Sequence, residues 1–318
     1  MPVTLEQAKL NVQDDLQSMV IDEYAKSNWL FNNLTFDDCV SPVGGGATLT
    51  YSYLRLLTQP TAGFRAINSE YAAQEVTKEQ KSVNLAIFGG SYKVDRVIAK
   101  MGGVVNEVTL QMQQKIKAAS AVFNDAVING DTATVSNSFD GLEKALTGSS
   151  TEYTPAAPID LSNSAAIDTN YKSFLDQLDE LLSMLDGAPS ALLCNTKLFT
   201  KIKAVARRAT SYTETKDRFG QQIVGYNGIP IVDLGAKAGT NDPVSAIKSS
   251  DGTTSLYAVR LGLDGFHAIS MAGVAPVQSW LPDFKTAGAV KVGEVEMVAA
   301  VALKATKAAA VMRNIKVQ

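Results

Sequence analysis

The chain has 318 residues, 46% of them hydrophobic and 19% charged, which is enough to bury one large core or two modest ones. Its net charge of −3 argues against tight, specific nucleic-acid binding as the main task, because domains with that task are usually strongly basic. The sequence has no apolar run long enough for a membrane span and no recognisable secretory signal, so it does not predict an integral membrane protein.

The cysteines and the charge pattern leave alternatives open. Cys39 and Cys194 are the only cysteines. A disulfide between them is one possibility, and two unpaired, buried thiols in a reducing compartment are the favoured interpretation. Residues 1–38 carry a net charge of −5 and residues 285–318 one of +4. These ends form either two solvated faces or two surfaces that dock on each other, within a chain or between chains.

The first predicted elements are a helix, an arm and a hairpin. Thr4 begins a capping box, and apolar residues recur at helical spacing up to about Lys26. Residues 32–41 follow as an irregular arm, and a glycine run then breaks the chain. Alternating apolar and polar residues predict a strand over 49–53 and a return strand over 83–87 that ends at Gly89 and Gly90.

The predicted hairpin contains an unusually long excursion, the 24 residues from Thr58 to Lys81. Ordering these residues costs on the order of 1–2 kcal/mol each, and offsetting about 30 kcal/mol requires burial of roughly 1,200 Å² of apolar surface. Two thin strands cannot supply that area. Phe64, Ile67, Tyr71 and Val76 give the excursion apolar anchors that a linker lacks, so we expect it to lie on a neighbouring chain.

The remainder of the chain alternates helices and strands. The longest predicted helix keeps one apolar stripe from Val105 to Ala126 and is stopped by Gly130. A Ser-, Thr-, Pro- and Ala-rich stretch over 148–158 is a plausible hinge. Further helices are predicted over 170–185 and 196–208, with strands over 190–195, 228–235 and 255–262. The run after Glu294 combines helix-favouring alanines with strand-favouring residues, and we interpret it as mostly strand.

No catalytic or metal-binding motif stands out. The single histidine, His267, sits among apolar residues at a predicted strand end, where a packed or hydrogen-bonded role is the commoner one. The two cysteines lack the spacing of a metal site, and the glycine-rich segments match no phosphate-binding pattern. The carboxylate pairs fall on predicted exposed faces, so no cofactor, metal or catalytic residue is predicted.

The order of the segments is nevertheless familiar. The sequence runs through QPTAGFRAINSEY, VNLAIFGGSYKVDRVI, a long helix ending AVINGD, the box FDGL, then YNGIPIVD and LYAVRLGLDGF. This succession resembles the major capsid proteins of tailed bacteriophages with the Hong Kong 97-type fold, over almost the whole chain. The resemblance implies an α+β fold with an N-terminal arm, an extended β-hairpin called the E-loop, a long spine helix in a P domain and a central mixed α/β A domain.

The resemblance also implies a domain division. Residues 1–46 would form the N-terminal helix and arm, 47–90 the E-loop hairpin, 91–160 the P domain with its spine helix, 161–272 the axial A domain, and 273–318 the C-terminal strands that return to the P domain. Because the capped helix begins at Thr4, any scaffold is expected to be a separate protein.

The site residues implied by the resemblance are subunit contacts. They comprise E-loop residues, a pair where the loop meets the spine helix, and acidic residues that dock the N-terminal arm on a basic patch: Phe64, Arg65, Ile67, Tyr71, Lys78 and Lys81; Asp95 and Arg96; Asp14, Asp15, Asp22 and Glu23. Asp95 and Arg96 have the alternative of a local cap and a solvated charge. Some relatives cross-link a loop lysine to an asparagine, for which Lys78, Lys81 and Asn314 are candidates, although ordinary surface lysines are the default.

The resulting hypothesis is a structural protein, a phage major capsid subunit that assembles into pentamers and hexamers of an icosahedral shell. Its expected partners are copies of itself, a separate scaffolding protein, a portal and, non-specifically, packaged double-stranded DNA. Its expected location is the virion, after assembly in the host bacterial cytoplasm. The alternatives are an encapsulin-like compartment that packages a cargo enzyme and, from another class, a soluble α/β enzyme.

Overall fold

The computed structural model describes residues 29–41, 48–101, 106–209, 213–216 and 222–318. The predicted helix from Thr4 to Lys26, the glycine run after the arm, and the acidic residues Asp14, Asp15, Asp22 and Glu23 lie outside the described residues.

The elements of the first half are two short N-terminal pieces, a hairpin, a long strand and a long helix. They are α1 (Trp29–Asn33), β1 (Phe36–Val40), β2 (Thr50–Leu56), β3 (Lys78–Asn84), β4 (Ala86–Asp95), a 3₁₀ turn (Ile98–Lys100), α2 (Glu107–Asn129), α3 (Leu142–Leu146), β5 (Glu152–Tyr153) and β6 (Ile159–Asp160).

The second half alternates helices with strands and then becomes all strand. Its elements are α4 (Ser164–Ser183), β7 (Ala191–Cys194), α5 (Thr196–Ala209), β8 (Thr213–Lys216), β9 (Gln222–Tyr226), β10 (Ile229–Asp233), β11 (Thr253–Val259), β12 (Phe266–Met271), β13 (Val277–Trp280), β14 (Val290–Leu303), a 3₁₀ turn (Thr306–Ala308) and β15 (Ala309–Lys316). The predicted α+β class is confirmed, as are the strands of the C-terminal run.

The first sheet has five strands. Four of them follow the order β1-β12-β14-β13, and the fifth, β4, also pairs with β14. Residues 36–40 were expected to be irregular, but they form β1 and pair in parallel with β12, Phe36 opposite Ala268. The expectation was wrong because the partner strand lies more than 200 residues away, and no local pattern announces such a pairing.

The return strand predicted over 83–87, ending at Gly89 and Gly90, is divided between two strands in the structure. β3 pairs with β2 and ends at Asn84, and β4 then runs through both glycines to Asp95 and pairs with β14 over ten residues. Gly89 permits this close pairing, because a Cβ atom there would lie 2.0 Å from the carbonyl oxygen of Val295. A glycine inside a strand can therefore indicate a close approach of two backbones rather than a turn.

Helix α2 packs against this first sheet and confirms the predicted long helix. Its N-terminus is capped by the Asn106 side chain, which accepts a hydrogen bond from the Thr109 amide, and Gly130 follows its last residue. Phe123 is fully buried and contacts the rings of four other phenylalanines, whose centroids lie 6.0–6.2 Å away: Phe31, Phe36, Phe88 and Phe139. This cluster ties the helix to the sheet and to the N-terminal pieces.

The second sheet has eight strands in the order β5-β15-β11-β7-β10-β9-β8, with β6 also pairing with β15. Both faces of its centre are buried. Leu193 and Val311 face the core shared with α2, while Leu192 and Met312 face a second core formed by α4 and α5. The alternation of the side chains assigns each strand to two cores at once.

The strands after residue 273 do not all join one sheet. β13 and β14 belong to the first sheet, whereas β15 lies in the second, between β11 and the short strands β5 and β6. The division into domains, including the return of 273–318 to the P domain, stays a prediction.

Candidate interaction surface: the exposed hairpin

Strands β2 and β3 form a separate two-stranded ribbon that projects from the first sheet. Seven residue pairs join them, from Thr50 opposite Asn84 to Leu56 opposite Lys78. The predicted excursion over 58–81 is therefore shorter in the structure and covers residues 57–77, and Lys78 and Lys81 belong to β3. The error arises because KEQKS has a polar composition that is unusual for a strand.

The two legs of the loop stay side by side beyond the strands. The Leu57 amide donates to the Thr77 carbonyl at 2.9 Å, and the hydroxyls of Thr58 and Thr77 lie 2.7 Å apart. Further out, the amide and hydroxyl of Thr61 both donate to the Gln74 side-chain oxygen, at 2.6 and 2.8 Å. The loop is thus an extended finger held by its own polar side chains rather than a loose coil.

The tip of the finger is a turn stabilised by Arg65. The Ser69 amide and hydroxyl donate to the Ala66 carbonyl, and Asn68 adopts a left-handed backbone conformation with φ of 65°. The Arg65 guanidinium donates to the Ser69 carbonyl at 3.1 Å and lies 5.4 Å from the centroid of the Tyr71 ring. A charged side chain is therefore used locally to hold an aromatic side chain in place.

The finger exposes its apolar side chains. Every residue from 57 to 77 is exposed, and Phe64 is fully exposed, Ile67 is 91% exposed and Tyr71 is 66% exposed. Single exposed apolar residues are normal on a protein surface, but a narrow projection with several of them is typical of an interaction site. The sequence-based interpretation of these three residues as outward anchors agrees with their exposure, while their partner stays a prediction.

The outer face of the ribbon adds residues that the sequence analysis did not single out. Leu54 and Leu56 on this face, and Leu57 directly after β2, are between half and three quarters exposed. The sequence contains the pattern that indicates their exposure. Leu54 and Leu56 alternate with Tyr53 and Arg55, so they point to the opposite face of β2, and a two-stranded ribbon is covered on one face only.

The inner face of the ribbon rests on the body of the same chain. The Tyr53 hydroxyl donates to the Leu303 carbonyl at 3.0 Å. Arg55 donates from Nη2 to the Leu303 carbonyl at 2.7 Å and from Nε to the Lys304 carbonyl at 2.9 Å. These bonds satisfy the last carbonyls of β14 and fix the base of the finger, so the finger projects from an anchored base.

The remaining E-loop candidates have local partners. Lys81 forms an ion pair with Glu79, two residues earlier on the same strand, and Lys78 is exposed at the start of β3. Asn314, a candidate for cross-linking, lies half-buried in β15, and its side-chain amide donates to the Pro155 carbonyl at 3.5 Å.

Asp95 and Arg96 lie where β4 ends. The Asp95 carboxylate accepts a hydrogen bond from the Val97 amide at 2.8 Å, which caps the turn before the 3₁₀ helix, and the Arg96 side chain is exposed. This geometry agrees with the alternative of a local cap and a solvated charge. An interface role for the pair stays a prediction.

The basic residues expected to receive the acidic arm are not gathered in one place. Lys291 lies near the start of β14 and Lys304 directly after its end, about 40 Å apart along an extended strand of this length. Arg313 is already paired with Glu143 and Glu152 of its own chain. These residues do not form a single basic patch, and the docking of the arm stays a prediction.

A second group of exposed apolar residues was missed. Val97, Ile98 and Met101 lie around the 3₁₀ turn, and Val290 and Val292 lie at the adjoining start of β14. The sequence does contain an indication of this exposure. In β14 the apolar side chains stand at even-numbered positions up to Val292 and at odd-numbered positions from Val295 onward, so the two sets point to opposite faces of the strand. A regular strand cannot bury both sets on one face, so one set must be exposed.

The described residues contain no group of three or more His, Cys, Asp or Glu side chains arranged for a metal ion. Across the same parts of the chain, no helix has the length and apolar character needed to cross a bilayer. The two cysteines are free. Cys194 is buried as expected, but Cys39 is exposed, because β1 is an edge strand.

Comparison with solved structures places this fold among shell proteins. The chain of the holo-SrpI encapsulin complex from Synechococcus elongatus superposes with a TM-score of 0.68 and 14% identity, over 99% of this chain and 97% of that one. The capsid of the native GTA particle gives a TM-score of 0.65 at 11% identity, over 98% and 97%. The capsid of Myoviridae phage XM1 gives 0.61 at 9% identity, over 99% of both chains.

These similarities extend over essentially the full length of each chain. No family model matches the sequence, and no curated protein matches it. The protein thus has the fold of phage capsid proteins, a fold shared with an encapsulin. At these identities the likeness establishes the fold alone, and the assignment to the Hong Kong 97 type in particular stays a prediction.

Proposed function

We propose that this protein is a structural shell subunit, the major capsid protein of a tailed bacteriophage, which assembles into pentamers and hexamers of an icosahedral particle. The observation that carries the proposal is the anchored finger, whose apolar residues Phe64, Ile67 and Tyr71 contact none of the chain's own core. It occurs on a fold that matches capsid proteins from end to end.

The physical basis is that the described part of the chain leaves the apolar side chains of the finger exposed, so a neighbouring molecule would supply their burial. Burying a large apolar side chain contributes about 1.5–3 kcal/mol, so the three anchors together contribute on the order of 5 kcal/mol per finger. That amount is too small for a stable isolated dimer, since association itself costs a comparable free energy. A closed shell repeats the contact many times, and the repetition supplies the strength.

The partners follow from the same proposal. Copies of the chain are the principal partner, and a separate scaffolding protein and a portal would direct assembly in the host bacterial cytoplasm. Contact with packaged double-stranded DNA would be weak and non-specific, which the net charge of −3 supports. The mature location would be the virion.

An encapsulin-like compartment is the second candidate, because the superposition with the encapsulin has a TM-score of 0.68, somewhat above the 0.61–0.65 of the two capsids compared above. The two functions share the fold and differ in contents. Nuclease-protected nucleic acid in purified particles would support the capsid proposal, and a co-purifying enzyme would support the compartment.

Electron microscopy of the purified full-length protein tests the proposal, and closed shells are the expected result. Replacing Phe64, Ile67 and Tyr71 together with serine should leave a folded subunit that forms no shells. Val135→Ser is the matched control, since Val135 is also exposed, at 57%, but lies in the turn after α2. A monomeric wild-type protein with measurable enzymatic turnover would refute the proposal. Shells of normal size from the triple variant would show that the finger is not the interface.

A further inference from the structure

The base of the finger covers the only histidine of the chain. His267 lies on β12, and its side chain is fully buried. Neither ring nitrogen has a partner of good hydrogen-bond geometry among the described residues. A buried polar group without such a partner costs free energy, so the position calls for an explanation. A histidine that served only to fill space would be replaced without loss by an apolar residue.

Tyr51 of β2 forms the cover over this histidine. The two rings meet edge to face with centroids 5.9 Å apart. The Tyr51 hydroxyl donates to the Asp37 carboxylate at 3.4 Å, a long hydrogen bond. The same Asp37 oxygen lies 3.8 Å from Nε2 of His267. One carboxylate oxygen therefore faces both the cover and the buried ring, and we call Asp37, Tyr51 and His267 the seat of the finger.

The charged and titratable groups around the seat come from four elements. β1 contributes Asp37 and Cys39, β2 contributes Tyr51 and Arg55, and the end of β14 contributes Lys304, whose ammonium lies 5.5 Å from the centroid of the Tyr51 ring. On β3, across from β2, Lys81 is paired with Glu79. Partial burial and a hydrogen bond with Asp37 raise the pKa of the Cys39 thiol to about 11, so this thiol stays protonated near neutral pH.

We call the seat closed when the Tyr51 ring covers His267 and open when the imidazole is exposed to solvent. The surroundings favour a neutral imidazole in the closed seat. Burial lowers the pKa of His267 and the positive charge of Lys304 lowers it further, while Asp37 and the backbone of Gly265 oppose both effects. A ring that is exposed when the seat opens has an ordinary pKa of about 6.5. The open seat therefore binds a proton more tightly than the closed seat does, and acid must favour opening.

We propose that the seat is a proton-responsive latch, in which a proton from solvent, bound to the imidazole of His267, draws Asp37 away from Tyr51 and frees the base of the finger. The 3.8 Å between Nε2 and Asp37 is about 1 Å longer than a charge-assisted hydrogen bond. Closing that gap withdraws the acceptor of the Tyr51 hydroxyl, and hydration of the imidazolium requires the Tyr51 ring to move. The inference concerns the single chain and does not depend on shell formation.

Linkage sets the expected size of the effect. Below pH 6.5 the ratio of open to closed seat rises about tenfold for each pH unit, down to the pKa of the closed state. Above pH 6.5 the ratio is constant. The contacts of Tyr53 and Arg55 with the end of β14 limit how far the finger moves, so the change is expected in β2 first.

Hydrogen exchange of the full-length protein, followed by mass spectrometry and corrected for the intrinsic pH dependence of exchange, tests the latch. Between pH 7.5 and pH 5.5, protection of residues 50–56 should fall in the wild type, by up to about tenfold. Protection of α4 should not change and serves as the internal control. In His267→Gln, which keeps a polar side chain but cannot titrate, the two pH values should give the same protection.

A second variant keeps the test decisive if His267→Gln does not fold. Asp37→Asn retains the histidine but removes the carboxylate that raises the pKa of the imidazole in the closed seat. The loss of protection should still begin near pH 6.5, and it should continue to a lower pH than in the wild type. Equal pH profiles in the wild type and His267→Gln would overturn the proposal. So would a wild type whose β2 protection does not change with pH, or an Asp37→Asn variant whose β2 protection does not fall below pH 6.5.

Discussion

The eight-stranded sheet and the finger use similar side chains in opposite ways. In the sheet, alternation buries both faces, and Leu192 and Leu193 are both fully buried although they are adjacent in sequence. In the finger, Leu56 and Leu57 are also adjacent, and both are exposed. The difference lies in the layers available, because helices and a second sheet cover the large sheet, whereas none of the described elements covers the finger or the outer face of the ribbon. An apolar segment is therefore buried only where another layer of the fold packs against it.

The largest expected contrast comes from removing the same aromatic ring in the two regions. Phe174, on α4, is fully buried in the second core, and Phe174→Ala should lower the free energy of unfolding by about 3–5 kcal/mol through lost burial and a cavity. Phe64→Ala, on the finger, should change it by less than about 0.5 kcal/mol. Denaturant unfolding of both variants measures the contrast.

A comparable loss in the two variants would mean that Phe64 packs against its own chain. The comparison between covered and uncovered regions would then fail, and with it the basis for an intermolecular role of the finger.

The second contrast concerns ion pairs. Arg313 on β15 is 16% exposed and pairs with both Glu143 and Glu152, and the Tyr257 hydroxyl donates to Glu143 at 2.6 Å. Arg313→Met leaves two carboxylates without their counterion and should cost about 3 kcal/mol. Lys81→Met, which breaks an ion pair whose lysine is 43% exposed, should cost less than about 1 kcal/mol. Thermal unfolding at low and moderate salt checks both values, and a salt-sensitive loss of similar size in each would contradict the expectation.

The third contrast uses Gly89 and Gly90, two adjacent glycines of β4. An added Cβ at Gly89 would lie 2.0 Å from a backbone oxygen of β14, whereas one at Gly90 would meet only the flexible Lys115 side chain, at 3.5 Å. Gly89→Ala should therefore cost about 1–3 kcal/mol and raise hydrogen exchange along β4 and β14. Gly90→Ala is the matched control and should leave exchange unchanged. Similar exchange in the two variants would show that the strands separate without cost.

The sequence was sufficient wherever structure follows from local periodicity. The stripe of α2, the alternation of β2 and the extent of α5 all lie close to where the pattern predicts them. The exposure of Phe64, Ile67 and Tyr71 was anticipated because their segment was too long and too polar to fold on two strands.

The sequence was insufficient wherever structure depends on distant partners. β1 is polar and short, and it becomes a strand only because β12 lies beside it. The seat of the finger joins residues 37, 51 and 267, so no window of sequence contains it. The glycines of β4 were interpreted as a turn because the close approach of β14, 200 residues later, is not visible locally.

The smallest expected effect is a difference in how a carboxylate in each region contributes to the acid dependence of stability. Burial alone would raise the pKa of Glu152, but hydrogen bonds from the Gly148 amide and Arg313 outweigh burial and hold it below its ordinary value of 4.5. A carboxylate with a depressed pKa contributes stability that is present above pH 4.5 and is lost as the pH falls through the folded-state value. Glu152→Gln should therefore flatten the acid limb of the stability curve, while Glu70→Gln, on the exposed finger, should leave it unchanged. Unfolding measured from pH 7 to pH 3 tests this, and an equally steep acid limb in Glu152→Gln and in the wild type would show that acid acts elsewhere in the fold.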